Sequence, residues 1–270
     1  MTTILDEINA GVREDMEARI RHISRSRIQE LAAQAPAALD AHEALNGGRT
    51  DVAGTKIIAE VKRSSPSKGK LADIPEPAKL AAEFETGGAS VISCLTEQRR
   101  FNGSLADFEQ VRAAVNIPLL RKDFTVDEYM IYEARAHGAD VVLLIVAALD
   151  DAQLRDYLNL THELGMHALV ETHTPDEIER AVAVNAKLLG INVRNLKTLD
   201  VDVAHYAELA ALLPENVVRI AESGVQGLAQ IEEYARNGAD AILVGEALVK
   251  HGSPAQAVRD FRAAAAAVHA

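Results

Sequence analysis

The sequence contains no tryptophan, and aromatic residues fill only 4% of its 270 positions. Valine, isoleucine, leucine and alanine must therefore build the core, within a hydrophobic share of 48%. That share, beside 25% charged residues, is the balance of a globular chain and excludes disorder as the main state. Cysteine is nearly absent. Cys94 alone cannot form an internal disulfide, and its setting in VISCL at 91–95 predicts a buried thiol in a reducing compartment. Long apolar runs are missing too. The longest, 141–149, falls well short of the roughly 20 residues a membrane helix needs. No basic stretch followed by an apolar one opens the chain, so no signal peptide is expected and the cytoplasm is the expected address.

Positive charge is in the minority, with 28 Lys and Arg against 40 Asp and Glu, for a formal net charge of -12. Such a surface repels nucleic acid and anionic lipid, and neither is expected as a partner. A small anionic ligand remains compatible, because a local basic pocket can coexist with an acidic exterior. The nine histidines never fall into HxH or HExxH, so no metal site is expected. GxSxG is missing, as are GxGxxG, GKS and GKT, which removes the usual signs of a hydrolytic nucleophile or a nucleotide loop.

What is present is a repeat of alternating elements. The first fifty residues read as helix, with Ile4, Ile8, Val12, Met16 and Ile20 about one turn apart, and no strand signal precedes Ile57. Residues 1–50 are expected to be a helical extension. Residues 51–270 are expected to be the main body, the two forming one structural domain. From there, eight β-prone runs alternate with helical ones: 56–61, 90–95, 118–122, 139–146, 166–171, 187–193, 217–222 and 239–245. Most are continuously apolar, as parallel strands buried on both faces are. Gly88, Gly138 and Gly238, with Asn185 in the same kind of position, close helices just before strands. Ser104-x-x-Asp107, Thr125-x-x-Glu128 and Thr174-Pro175-x-Glu177 resemble helix-start capping boxes. Eight βα units in this length predict an α/β fold, a closed (β/α)8 TIM barrel with an N-terminal helical extension, rather than an open doubly wound sheet.

The strands stop at polar residues or glycine. Glu60 and Lys62 bracket the first end and share a face by alternation, so they can pair. Arg121, Lys122 and Asp123 end the third, Glu171 the fifth, Asn192 and Arg194 the sixth, Glu222 and Ser223 the seventh, and Gly245 the eighth. A barrel gathers all these ends on one rim, where such enzymes carry their catalytic groups. Ser223-Gly224 and Gly245-Glu246, in the loops after the last two strands, form a candidate phosphate site, since glycine lets the backbone approach an anion. Glu246 is an unexpected neighbour for a phosphate, and its side chain would have to turn away. Arg99, Arg100 and Phe101 follow the second strand and offer either an exposed arginine pair or an aromatic wall. His167 and His173 flank the fifth strand and are expected at the surface or the pocket edge. These residues suit several chemistries: a phosphosugar isomerase, a Schiff-base aldolase using Lys122, or a phosphate-sensing barrel without chemistry.

One family matches these segments in detail. IIAEVKRSSPSKGKL at 57–71 and PLLRKDF at 118–124 resemble the signatures of indole-3-glycerol phosphate synthases. The likeness continues through TEQRRFNGS at 96–104, LVETHT at 169–174, GINVRNLKTLDVD at 190–202, RIAESGV at 219–225 and ILVGEALV at 242–249. It implies ring closure of 1-(2-carboxyphenylamino)-1-deoxyribulose 5-phosphate to indole-3-glycerol phosphate, with loss of CO2 and water and no cofactor or metal. It also implies Lys122 as general acid and Glu171 as general base. Glu60, Lys62, Asn192 and Glu222 match the other catalytic positions. Arg194, Ser223, Gly224, Gly245 and the Glu246 amide match substrate-binding positions, and Phe101 and Phe124 the contacts to the anthranilate ring. The partner implied is an anionic small molecule bearing phosphate and carboxylate. A monomer is expected, with the extension lying across or beside the catalytic rim. Departures are mild: Val193, Glu246 and Asn185 stand where a small or polar residue, Ser and Gly are common in the family.

Overall fold

The computed structural model describes residues 3–49, 54–194, 200–250 and 252–268. The stretch 195–199 of the GINVRNLKTLDVD segment lies outside the described residues.

Eight parallel strands close into a barrel: β1 (Lys56–Val61), β2 (Val91–Leu95), β3 (Leu119–Lys122), β4 (Val141–Ile145), β5 (His167–Thr172), β6 (Leu188–Asn192), β7 (Val218–Glu222) and β8 (Ala241–Val244). Each neighbours the next in sequence, and β1 pairs with β8 to close the ring. Seven of the eight begin one or two residues later than their apolar runs suggest, because the preceding residues finish the turn out of the helix. Glycines at four of these turns, Gly88, Gly138, Gly165 and Gly238, adopt positive φ, and Asn185 does so at φ 62°.

Alternation along the strands makes two cores. Ile58, Val91, Leu143, Leu169, Leu188, Val218 and Leu243 point into the barrel, and Ile57, Ile92, Leu144, Val170, Leu189 and Ile242 point out against the helices. Each such side chain removed from water contributes about 1.5–3 kcal/mol. The surrounding helices are α4 (Pro77–Gly87), α5 (Leu105–Ala114), α6 (Glu128–Ala136), α7 (Asp151–Glu163), α8 (Pro175–Ala183), α9 (His205–Ala210), α10 (Leu228–Arg236), α11 (Glu246–Lys250) and α12 (Pro254–Ala267). Ser104 and Thr174 cap α5 and α8 as expected. Thr125 does not cap α6. Asp127 does, accepting from the Tyr129 amide, and its carboxylate also holds Arg25 of the extension. Among the described residues no helix is long and apolar enough to cross a membrane.

The extension comprises α1 (Ile4–His22), α2 (Arg25–Gln34) and α3 (Ala41–Leu45). It does not stay at the catalytic rim. Helix α1 lies there, with Ile4, Leu5 and Ile8 walling a cleft and Asp15 and Glu7 paired to Arg99 and Arg100. Helix α2 then runs along α6. The chain reaches the opposite rim around Leu39, whose amide donates to Asp140 at 2.7 Å, and Arg49, whose amide donates to Asp240 at 3.1 Å. The reason is geometric. Strand β1 starts at the rim opposite the one α1 covers, so the chain must descend the barrel's full height to enter it.

Candidate active site

A cavity of about 260 Å³ opens among the C-terminal strand ends, room for a small molecule rather than a polymer. Its lining holds every residue matched to a catalytic or substrate-binding position, with Leu95, Leu143 and the three α1 side chains, whereas Arg121 turns away to pair with Glu133 and Arg99, Arg100, His167 and His173 stay outside it. Inward alternation of β1 brings Glu60 and Lys62 together as an ion pair, and Ser93 Oγ donates to Glu60 Oε2 at 3.3 Å.

Lys122 projects from the end of β3 into the middle of the rim. Its Nζ lies 3.2 Å from Glu171 Oε2 and 3.3 Å from Glu222 Oε2. Both carboxylates are buried. Burial works against the Lys122 ammonium, but Glu171, Glu222 and Glu60 outweigh it and hold its pKa above the ordinary lysine value. Glu171 is likewise opposed by burial, yet Lys122, His173 and Asn192 hold its pKa below the usual carboxylate range. Glu222 goes the other way: burial, with Glu171 nearby, raises its pKa. The site therefore keeps one carboxylate charged and the other inclined to hold a proton.

Asn192 is fixed on both ends of its amide. Nδ2 donates to Glu171 Oε1 at 3.1 Å, while Oδ1 accepts from Ser223 Oγ at 2.8 Å and from the Arg194 amide at 3.1 Å. Ser223 and Gly224 both have positive φ, and Tyr234 OH braces the turn by donating to the Ser223 carbonyl at 3.0 Å. Gly245 stands close to the ion pair: a Cβ there would lie 2.9 Å from Glu60 Oε1 and would push that carboxylate aside. Val193 points into the outer core. Across the cleft, the Phe101 and Phe124 rings stand 5.9 Å apart. They complete an apolar end opposite the polar one.

The family comparison now decides the class. Residues 5–261 match the family model described as indole-3-glycerol phosphate synthase. The chain belongs to that family. Among its relatives, the indole-3-glycerol phosphate synthase of Micrococcus luteus is 66% identical over 98% of this chain and 99% of its own. That of Arthrobacter sp. (strain FB24) is 60% identical over 98% and 97%. Solved structures outside the family share the barrel. The 3-hexulose-6-phosphate synthase of Salmonella typhimurium superimposes with a TM-score of 0.66 at 14% identity, over 80% of this chain and 100% of that one. That likeness speaks for the fold alone.

Four features of this chain were not read from its sequence. Lys68, on the loop after β1, pairs with Glu246 at 2.8 Å, so the Glu246 carboxylate is held at the cleft instead of turning away. Glu97 accepts the amides of Arg99, Arg100 and Phe101 and so shapes the loop that presents the phenyl ring. Gly190, inside β6, is where a Cβ would come within 2.1 Å of Glu222 Oε1. His173 is half-buried behind Glu171, outside the cleft lining. A glycine inside an otherwise apolar strand was the one local signal among them.

Proposed function

We propose that the protein closes the pyrrole ring of 1-(2-carboxyphenylamino)-1-deoxyribulose 5-phosphate, releasing CO2 and water to give indole-3-glycerol phosphate. The observation that carries this reading is Lys122, a half-buried ammonium held between the buried Glu171 and Glu222 at the junction of an aromatic wall and a glycine-lined polar end. The ring carbon bearing the carboxylate attacks the ribulose carbonyl, and the carbonyl π electrons move to oxygen. Lys122 lies where it can protonate that oxygen. The bond to the carboxylate then breaks, its electron pair returns to the ring, and CO2 departs. The hydroxyl leaves as water with a proton from Lys62, or from Lys122 once solvent has reprotonated it. Glu171 takes the remaining C–H proton and the indole double bond forms. Glu60 holds Lys62, Asn192 orients Glu171, and Glu222 completes the charge balance around Lys122.

The phosphate is assigned to Ser223, Gly224, Gly245 and the Glu246 amide, with Lys62 and Arg194 supplying charge. The carboxyphenyl ring is assigned to Phe101 and Phe124. Holding both ends brings the reacting carbons together and removes an entropic barrier. A Schiff-base aldolase is disfavoured, because it needs a free amine and Lys122 is held as an ammonium by its carboxylate neighbours. One chain supplies every group named, so the reading needs no partner subunit and takes the protein as a monomer. The test is indole fluorescence from the purified protein and the carboxyphenylamino substrate, with chelator present and no cofactor added. Product formation is expected; none from folded protein overturns the reading.

A further inference from the structure

His173 stands immediately after β5, and its ring lies between two carboxylates. On one side Nδ1–H donates to Glu177 Oε2 at 3.1 Å, and the same oxygen accepts the His173 amide at 2.7 Å. On the other, Nε2 lies 3.4 Å from Glu171 Oε1. The His173 side chain is 11% exposed and that of Glu171 2%, so water screens this contact little. An ionised carboxylate only accepts, so Nδ1 must carry the proton that faces Glu177. A neutral ring would then leave its Nε2 lone pair 3.4 Å from a carboxylate oxygen of Glu171. The imidazolium is hydrogen-bonded to Glu177 and sets its positive charge against Glu171, an ion-pair contact without hydrogen-bond geometry.

This bears on a near-symmetry in the site. Glu171 and Glu222 flank Lys122 at almost equal distances, and one ammonium does not neutralise two buried carboxylates. Among the described residues Glu222 has no ion-pair partner besides Lys122, whereas Glu171 has His173 as well. We propose that His173, oriented by Glu177, is a positioning residue that makes Glu171 rather than Glu222 the ionised partner of Lys122. The inference rests on the reading of Glu171 as the base. His173 does not line the cleft, and an imidazolium has no free site for a proton, so it is neither a substrate contact nor a relay. The charged groups facing it are Glu171 from β5 and Glu177 from α8. Lys122 from β3 and Glu222 from β7 stand behind Glu171, and the neutral Asn192 from β6 shares its Oε1.

The test compares wild type, His173→Asn, Glu177→Gln and Glu171→Gln in kcat and KM across about pH 4 to 9, where carboxyls and histidine titrate. Without the imidazolium, the proton of the carboxylate pair lodges on Glu171 for part of the time. In His173→Asn the acid limb of kcat should therefore move up by about one pH unit or more. KM should stay within about twofold, and raising the pH should recover the rate. Glu177→Gln leaves the ring but loosens its aim, so its limb should move the same way by less. A merely structural role would lower kcat equally at every pH. That result, or wild-type profiles in both variants, overturns the inference. If Glu171→Gln is inactive while both variants behave as wild type, only the role of His173 falls. If Glu171→Gln turns over normally, the base assignment falls and His173 with it.

Discussion

Lys68 Nζ stands 2.8 Å from Glu246 Oε2, joining the loop after the first strand to the loop after the last across the mouth of the cleft. Lys250 holds the other oxygen of the same carboxylate at 2.6 Å. A substrate phosphate entering beside Gly245 would compete with Glu246 for Lys68. Glu246→Ser should therefore leave kcat unchanged and lower KM. The change should be no more than about fivefold, because a partly exposed ion pair is worth roughly 0–1 kcal/mol. Lys68→Ala should raise KM, and the difference between the two variants should shrink as salt is added. Steady-state kinetics at two ionic strengths check both. A marked rise of KM in Glu246→Ser would show that the carboxylate serves binding instead.

Gly190→Ala should leave the barrel folded and damage its chemistry. The added methyl would come within 2.1 Å of Glu222 Oε1, and Glu222 is buried at the rim beside Lys122. The carboxylate has to swing away, disturbing the charge balance around the ammonium. The expected loss is in kcat, by about tenfold or more for a displaced charged group in a positioned site. Thermal melting and kinetics on the same preparation separate this from unfolding.

The two rims should respond differently to changes in the extension. Arg49 Nε donates to the buried Asp240 at 3.0 Å at the rim away from the cleft. Arg49→Ala leaves that carboxylate short of its cation, which costs about 3 kcal/mol for a buried pair broken on one side. Tm should fall while kcat stays near wild type. Truncation before Ser24 removes Ile4, Leu5 and Ile8 from the cleft wall, so KM should rise. Truncation through Arg49 should damage folding and turnover alike, because it also removes the Leu39 and Arg49 ties at the far rim.

The barrel was legible because a strand buried on both faces needs a continuous apolar run, and eight such runs stand at βα spacing. Glu60 and Lys62 were legible because alternation alone puts them on one face. Lys122, Glu171, Asn192 and Glu222 stood out as polar ends of apolar strands. What stayed hidden depends on how the folded elements face one another. Gly190 matters because β6 lies beside β7, and His173 because α8 turns Glu177 back onto a ring that also meets Glu171. Thr125 with Glu128 fits the local capping pattern, yet Asp127 is the cap. Arg25, about a hundred residues upstream, favours Asp127. Helical periodicity in the extension told nothing of where each helix docks.

The His173 imidazolium also makes stability depend on pH. Burial opposes its charge, but Glu171 and Glu177 raise its pKa to about 9, above the ordinary histidine value of about 6.5. A raised value means that folding favours the protonated form. Its contribution is therefore fully present below about pH 6.5 and is lost as pH rises through about 9. Wild type should lose more Tm between those two values than His173→Asn does. Equal losses would mean that the ring is neutral in the folded protein.

The sharpest division is between proton transfer and binding. Lys122→Met keeps most of the side-chain length and removes both the acid and the charge. It should lower turnover by roughly 100-fold or more, as expected for a positioned acid or an oxyanion donor. Glu171→Gln keeps the shape and the hydrogen bond from Asn192 but removes the base. Turnover should again fall, while product still binds through the loops at Ser223-Gly224 and Gly245-Glu246. Both variants should stay folded, because the interior core of Ile58, Leu143, Leu169 and Leu243 lies beneath these head groups. Lys122→Met also removes the cation that Glu171 and Glu222 share, so Glu171 should be harder to keep ionised than in the wild type. Product affinity by fluorescence titration and single-turnover kinetics at saturating substrate form the paired measurement. Near-normal chemistry in either variant would remove that residue from its role. A collapse of product affinity with the rate restored at saturation would make it a binding group. Prompt CO2 release followed by a slow second phase, confined to Glu171→Gln, would place Glu171 after ring closure, at the loss of the last proton.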